Sequence, residues 1–260
     1  MVGYFRKVNV CMILLGAFAG TAAGFLLKKG IITILFFACI GGALGRLACG
    51  IWANKQVGKW NEILFSDGEP EKFLKIFIPV LERTRKHTPE YVDGWNKAAY
   101  AWEALGDFER AWQYLSAAEP EVLQGKAGLN ARTTTYSNRT RIRLLQGDSE
   151  GAAQALEALR QVSDAAMIKD KHLGHAGRHY VRLYENWLLV LAEEPADEEF
   201  IEEEIRLSGN RIRNSELQLL LARAAESRGD AVLAEELRLT ALSTGVGLWA
   251  EGKARELLNN

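Results

Sequence analysis

The chain has 260 residues, 48% of them hydrophobic, with 5 prolines and 3 cysteines. That is enough for one large domain or two smaller ones, and it excludes a disordered chain and a disulfide framework. The formal net charge of −1 hides a division: seven basic and no acidic residues precede Glu62, leaving 25 basic against 33 acidic residues in the remainder, a balance that argues against nucleic acid as a partner.

Residues 10–27 carry no charge, and residues 30–45 form a second uncharged run that resumes after Arg46 as far as Ala53. A helix rises about 1.5 Å per residue, so about 20 apolar residues cross a bilayer core of about 30 Å. The pattern predicts two transmembrane helices, at about 9–27 and 31–53, with Arg46 snorkelling to the interface. The intervening Lys28-Lys29-Gly30 allows only a tight turn, so residues 1–55 read as an antiparallel membrane anchor. The first run exceeds a signal-peptide core and a second follows at once, so an uncleaved anchor is expected.

Gly16, Gly20 and Gly24 recur every four residues, as do Gly41 and Gly45. Small residues at that spacing let helices approach closely in lipid. Two readings stay open: the stripes face each other within the hairpin, or they face a second copy or another subunit of a membrane complex. Cys11, Cys39 and Cys49 lie in the same runs and read as small apolar packing residues. Arg6, Lys7, Arg46, Lys55 and Lys59 fall on the side of the termini, against Lys28 and Lys29 at the turn. The positive-inside rule then predicts both termini and the following domain in the cytoplasm; the expected location is the cell membrane of a bacterium. Trp52 and Trp60 suit the headgroup level.

Residues 56–260 show helical spacing of apolar residues throughout and no convincing strand. Turn signals recur at Ser66-Asp67-Gly68, Thr88-Pro89, Glu119-Pro120 and Glu194-Pro195. Gly106-Asp107, Gly147-Asp148 and Gly229-Asp230 are minimal connectors, the glycine ending one helix and the aspartate capping the next. Around the first connector lie Trp95, Ala99, Trp102, Phe108, Ala111 and Ala118. Around the third lie Leu221, Ala222, Ala234 and Ala241. Around the second, Thr140 and Arg143 replace the small and aromatic residues of the first.

These segments resemble the tetratricopeptide repeat, a helix pair stacked into a solenoid. The resemblance implies an all-α fold: a two-helix transmembrane hairpin followed by an α-helical repeat solenoid whose last helix, from about residue 246, caps the open end. It also implies an inner groove that binds a partner protein or peptide, formed by Asp93, Asn96, Tyr100 and Glu103 from the first segment and by Glu216, Leu219, Arg223 and Glu226 from the third. Arg132, Arg139, Arg141 and Arg143 form a basic patch, and Arg141 joins the expected groove.

Other chemistry is sparse. His172, His175 and His179 share one helix face and are candidates for a metal-binding sensor or enzyme, although no general-base glutamate accompanies them as in metalloproteases. The acidic run from Glu193 to Glu204 reads as a solvated face. Asn138-Arg139-Thr140 has the form of a glycosylation sequon, but on a helix expected in the cytoplasm. The expectation is a membrane-anchored scaffold or adaptor, able to form homo-oligomers, in contact with the lipid bilayer and a protein or peptide partner, without catalysis or cofactor.

Overall fold

The computed structural model describes residues 5–27 and 30–259. Among these residues there is no strand, and twelve α-helices account for most of the chain. Helix α1 (Arg6–Leu26) and helix α2 (Ile31–Asn61) pair as a hairpin, and both are long and apolar enough to cross a membrane. Their outward side chains, among them Phe18, Phe25, Ile32 and Leu47, are exposed. Lys28 and Lys29, which set the expected charge of the turn, lie outside the described residues.

The glycine stripes face each other. A Cβ on Gly16 would stand 2.0 Å from the carbonyl oxygen of Gly41, and one on Gly41 equally close to that of Gly16. Gly20 meets the Phe37 carbonyl at 2.0 Å and Gly45 the Met12 carbonyl at 2.1 Å. The stripes are therefore occupied inside the hairpin.

Helix α2 does not stop at Ala53. It continues to Asn61 and then through a π-helical turn, Glu62–Ser66, so the hairpin and the helical domain share one uninterrupted helix. At about 1.5 Å per residue, α2 alone is about 46 Å long, well beyond a bilayer core. Its last turns carry Val57 and Trp60, which are buried on α3 (Pro70–Leu81) with Phe73 and Phe77. Phe5 stacks on Trp60 with ring centroids 5.4 Å apart, and Trp60 meets Phe77 edge-on at 5.2 Å.

The rest is built from helices joined by short turns: α4 (Pro89–Ala104), α5 (Phe108–Ala117), α6 (Gly125–Leu145), α7 (Ser149–Lys169), α8 (Lys171–Leu191), α9 (Glu198–Leu207), α10 (Arg211–Ser227), α11 (Ala231–Thr244) and α12 (Trp249–Asn259). All three Gly-Asp connectors take their expected form. Gly106, Gly147 and Gly229 have φ of +80°, +74° and +81°, a region that glycine enters without the Cβ clash of other residues. Asp107, Asp148 and Asp230 accept hydrogen bonds from the backbone N–H three residues on, at 3.0, 2.9 and 3.1 Å. Asp170, Asp197 and Asn210 cap α8, α9 and α10 in the same way.

Helices α4, α6, α8 and α10 each touch the next in that series. The series then returns on itself. The Nδ2 of Asn210 donates to the hydroxyl of Tyr100 at 2.8 Å, and Arg211 donates to the carbonyls of Asp67, Thr244 and Val246. Trp249 of α12 meets Phe108 with ring centroids 5.9 Å apart, and α12 touches α4. The last helix therefore does not sit on an open end. It closes the domain against its own first helices, around a polar interior.

Candidate functional site

The interior is a cavity of about 280 Å³ bounded by α4, α6, α8 and α10. Five of the residues expected in the groove line it: Asp93, Asn96, Tyr100, Arg141 and Glu216. Helical spacing explains the first three, since residues 93, 96 and 100 share a face of α4. Glu103 continues that face but lies behind the cavity wall, fully buried, and forms no part of the surface. Arg223 and Glu226, also expected here, line a second cavity of about 660 Å³ toward α12, which Glu216 touches from the other side. Leu219 lines only that second cavity. The expected groove is thus two cavities divided at Glu216.

At the centre, Arg141 is held between two carboxylates. Its Nε lies 2.7 Å from Glu103 Oε1, and its Nη1 lies 3.7 Å from Glu216 Oε2. Its guanidinium covers the Tyr100 ring at 3.7 Å, a close cation–π contact. The three charged residues are each at most 4% exposed. Burial pushes the Glu103 carboxyl up to about 8; Arg141 opposes this and the nearby Glu216 adds to it. Burial also raises Glu216, against the pull of Arg141 and Arg213. Burial works against the charge of Arg141, but Glu103 and Glu216 outweigh it and hold the guanidinium firmly protonated.

A neutral polar network continues around the wall. Asn96 Nδ2 donates to the Val92 carbonyl and to Thr135 Oγ1, both at 2.9 Å, and Asn138 Nδ2 donates to Asn96 Oδ1 at 3.2 Å. Ser137 and Tyr184 share a hydrogen bond of 2.8 Å. The Tyr184 hydroxyl is pushed up to about 12 by burial, against the influence of Arg141 and Ser137. Asn138, the sequon asparagine, is consumed by this network and buried, so its side chain is not presented to solvent.

Tyr180, Tyr184 and Trp187 also line the cavity, from one face of α8, together with Arg213 of α10. Sequence reasoning missed them, although an aromatic stripe at spacings of four and three was present in α8. Arg213 is paired with Glu204 and lies over the Tyr180 ring.

The histidines do not converge on one ligand position. His172, His175 and His179 are exposed. His179 Nε2 lies 2.9 Å from Glu204 Oε1. Among the described residues no group of three or more His, Cys, Asp or Glu side chains is placed to hold a metal ion.

Fold and site together define an all-α chain with two apolar N-terminal helices and a helical domain closed around a charged, aromatic-lined cavity. No family model, curated protein or solved structure matches the chain.

Proposed function

We propose that this protein is a membrane-anchored scaffold of the tetratricopeptide type, whose cytoplasmic helical domain binds a segment of a partner protein in the cavity between α4, α6, α8 and α10. The observation that carries the reading is the convergence of Asp93, Asn96, Tyr100, Arg141 and Glu216 on one cavity, from three helices far apart in sequence. Donors, acceptors and aromatic rings in a preformed recess suit recognition of a peptide segment. The continuous α2 supports an anchor that also orients the domain, since no flexible linker separates them. The reading assigns no catalytic step.

The test is purification of the full-length protein from its native membrane in mild detergent. Thr134 is half-buried and lines both this cavity and the one beside it, so Thr134→Trp intrudes into the cavity. A partner recovered with the native chain should be lost with Thr134→Trp and kept with a Phe18→Ala, Leu35→Ala double variant on the outward face of the hairpin. The opposite pattern would place the binding surface on the hairpin and overturn the reading.

A further inference from the structure

The charges around the cavity do not balance. Two buried carboxylates, Glu103 and Glu216, face a single buried guanidinium, that of Arg141. The other cations at the wall are already committed. Lys97 lies 2.9 Å from Asp93 at the rim, and Arg213 is paired with Glu204, which His179 also approaches. Glu216 Oε2 has no hydrogen-bond partner among the described residues. A further anion in the cavity would worsen the imbalance, because an uncompensated buried charge is costly. A cation would correct it. The rings of Tyr100, Tyr180 and Tyr184 line the same space. At about 280 Å³ the cavity is just below the range of about 300–1,000 Å³ of drug-sized ligand pockets, a size suited to one long side chain.

We propose that the cavity takes a lysine or arginine side chain of the partner segment, its cationic end set against Glu216 among the tyrosine rings. This rests on the scaffold reading above and names the chemistry of its ligand. Burial raises both the Glu103 and the Glu216 carboxyl around Arg141. A cation set against Glu216 favours the ionised form of both carboxyls, so its arrival releases protons to solvent. The charged and titratable groups facing this pair are Arg141 of α6, Tyr100 of α4, Tyr184 of α8 and Arg213 of α10.

The experiment uses the full-length chain in lipid nanodiscs and four pools of acetylated, amidated hexapeptides. Each pool has one fixed central residue, Lys, Arg, Gln or Glu, and random neighbours. The Lys and Arg pools should bind at least about tenfold more tightly than the Gln and Glu pools. Calorimetry in two buffers of different ionisation enthalpy should show net proton release on binding near pH 7, fading as pH passes about 8. Glu216→Gln should abolish the preference for Lys and Arg. Equal or tighter binding of the Gln or Glu pool would overturn the cation inference and leave the groove standing. Absence of binding by every pool would overturn the groove reading itself. The comparison of pools on the native chain decides the matter whether or not the variant folds.

Discussion

Removing the guanidinium of Arg141 leaves Glu103 and Glu216 buried without their counter-charge. Breaking a buried pair from one side costs about 3–5 kcal/mol, so Arg141→Gln is expected to lower the denaturant midpoint severely. A loss under about 1 kcal/mol would mean that the cluster is solvated. Glu103 carries a pH signature. Its carboxyl is raised by burial from 4.5 to about 8, so between those values the folded chain holds a proton that the unfolded chain has released. Stability conferred by this group is therefore present at the acid end of that window and falls as pH rises through it. Glu103→Gln should flatten the slope between pH 5 and pH 8 in urea titrations; a native chain with no slope there would contradict the assignment. Asp170 and Asp197, held low by Lys126 and Arg182, act in the opposite direction and only at more acid pH.

At the scale of the element, capping and close approach set the helices. Asp107→Ala removes the acceptor for the Arg110 N–H and should cost about 1 kcal/mol. Gly106→Ala places a Cβ at φ +80°, beside Trp249, and should cost at least about 1 kcal/mol. Thermal unfolding of each variant checks both. In the hairpin, Gly41→Leu drives a side chain into the Gly16 carbonyl and should separate α1 from α2. A spin-label distance between the two helices should lengthen relative to the native chain, and an unchanged distance would show that the stripes are not in contact. Such local features were legible in the sequence, because a Gly-Asp connector or a small-residue stripe depends on neighbours within a few residues. The end of α2 was not. Lys55 and Lys59 resemble a membrane exit, and only the packing of Val57 and Trp60 on α3 shows why the helix continues. The aromatic face of α8 was visible in principle, with Tyr180, Tyr184 and Trp187 at helical spacing.

At the scale of the molecule, the closure of the helix series creates the cavity, and no local signal announces it. Arg141 reads in the sequence as one member of a basic patch. Its place between Glu103 and Glu216 arises because α10 returns to α4. Tyr100 is joined to Asn210 across 110 positions. Arg211 closes the loop by donating to three carbonyls. Arg211→Ala should raise hydrogen exchange around Asp67 and in α12 while α6 and α7 keep their protection. Uniform exchange across the domain would mean that closure is not a separable step.

The central claim is that the partner lies in the cavity, and site-directed photocrosslinking in the native membrane tests it most directly. A photoreactive residue is placed in turn at Thr134 beside the cavity, at Ile168 on the exposed surface of α7, and at Phe18 on the hairpin. The account predicts a discrete protein adduct from Thr134 and none from the other two. Adducts confined to Phe18 or Ile168 would contradict it.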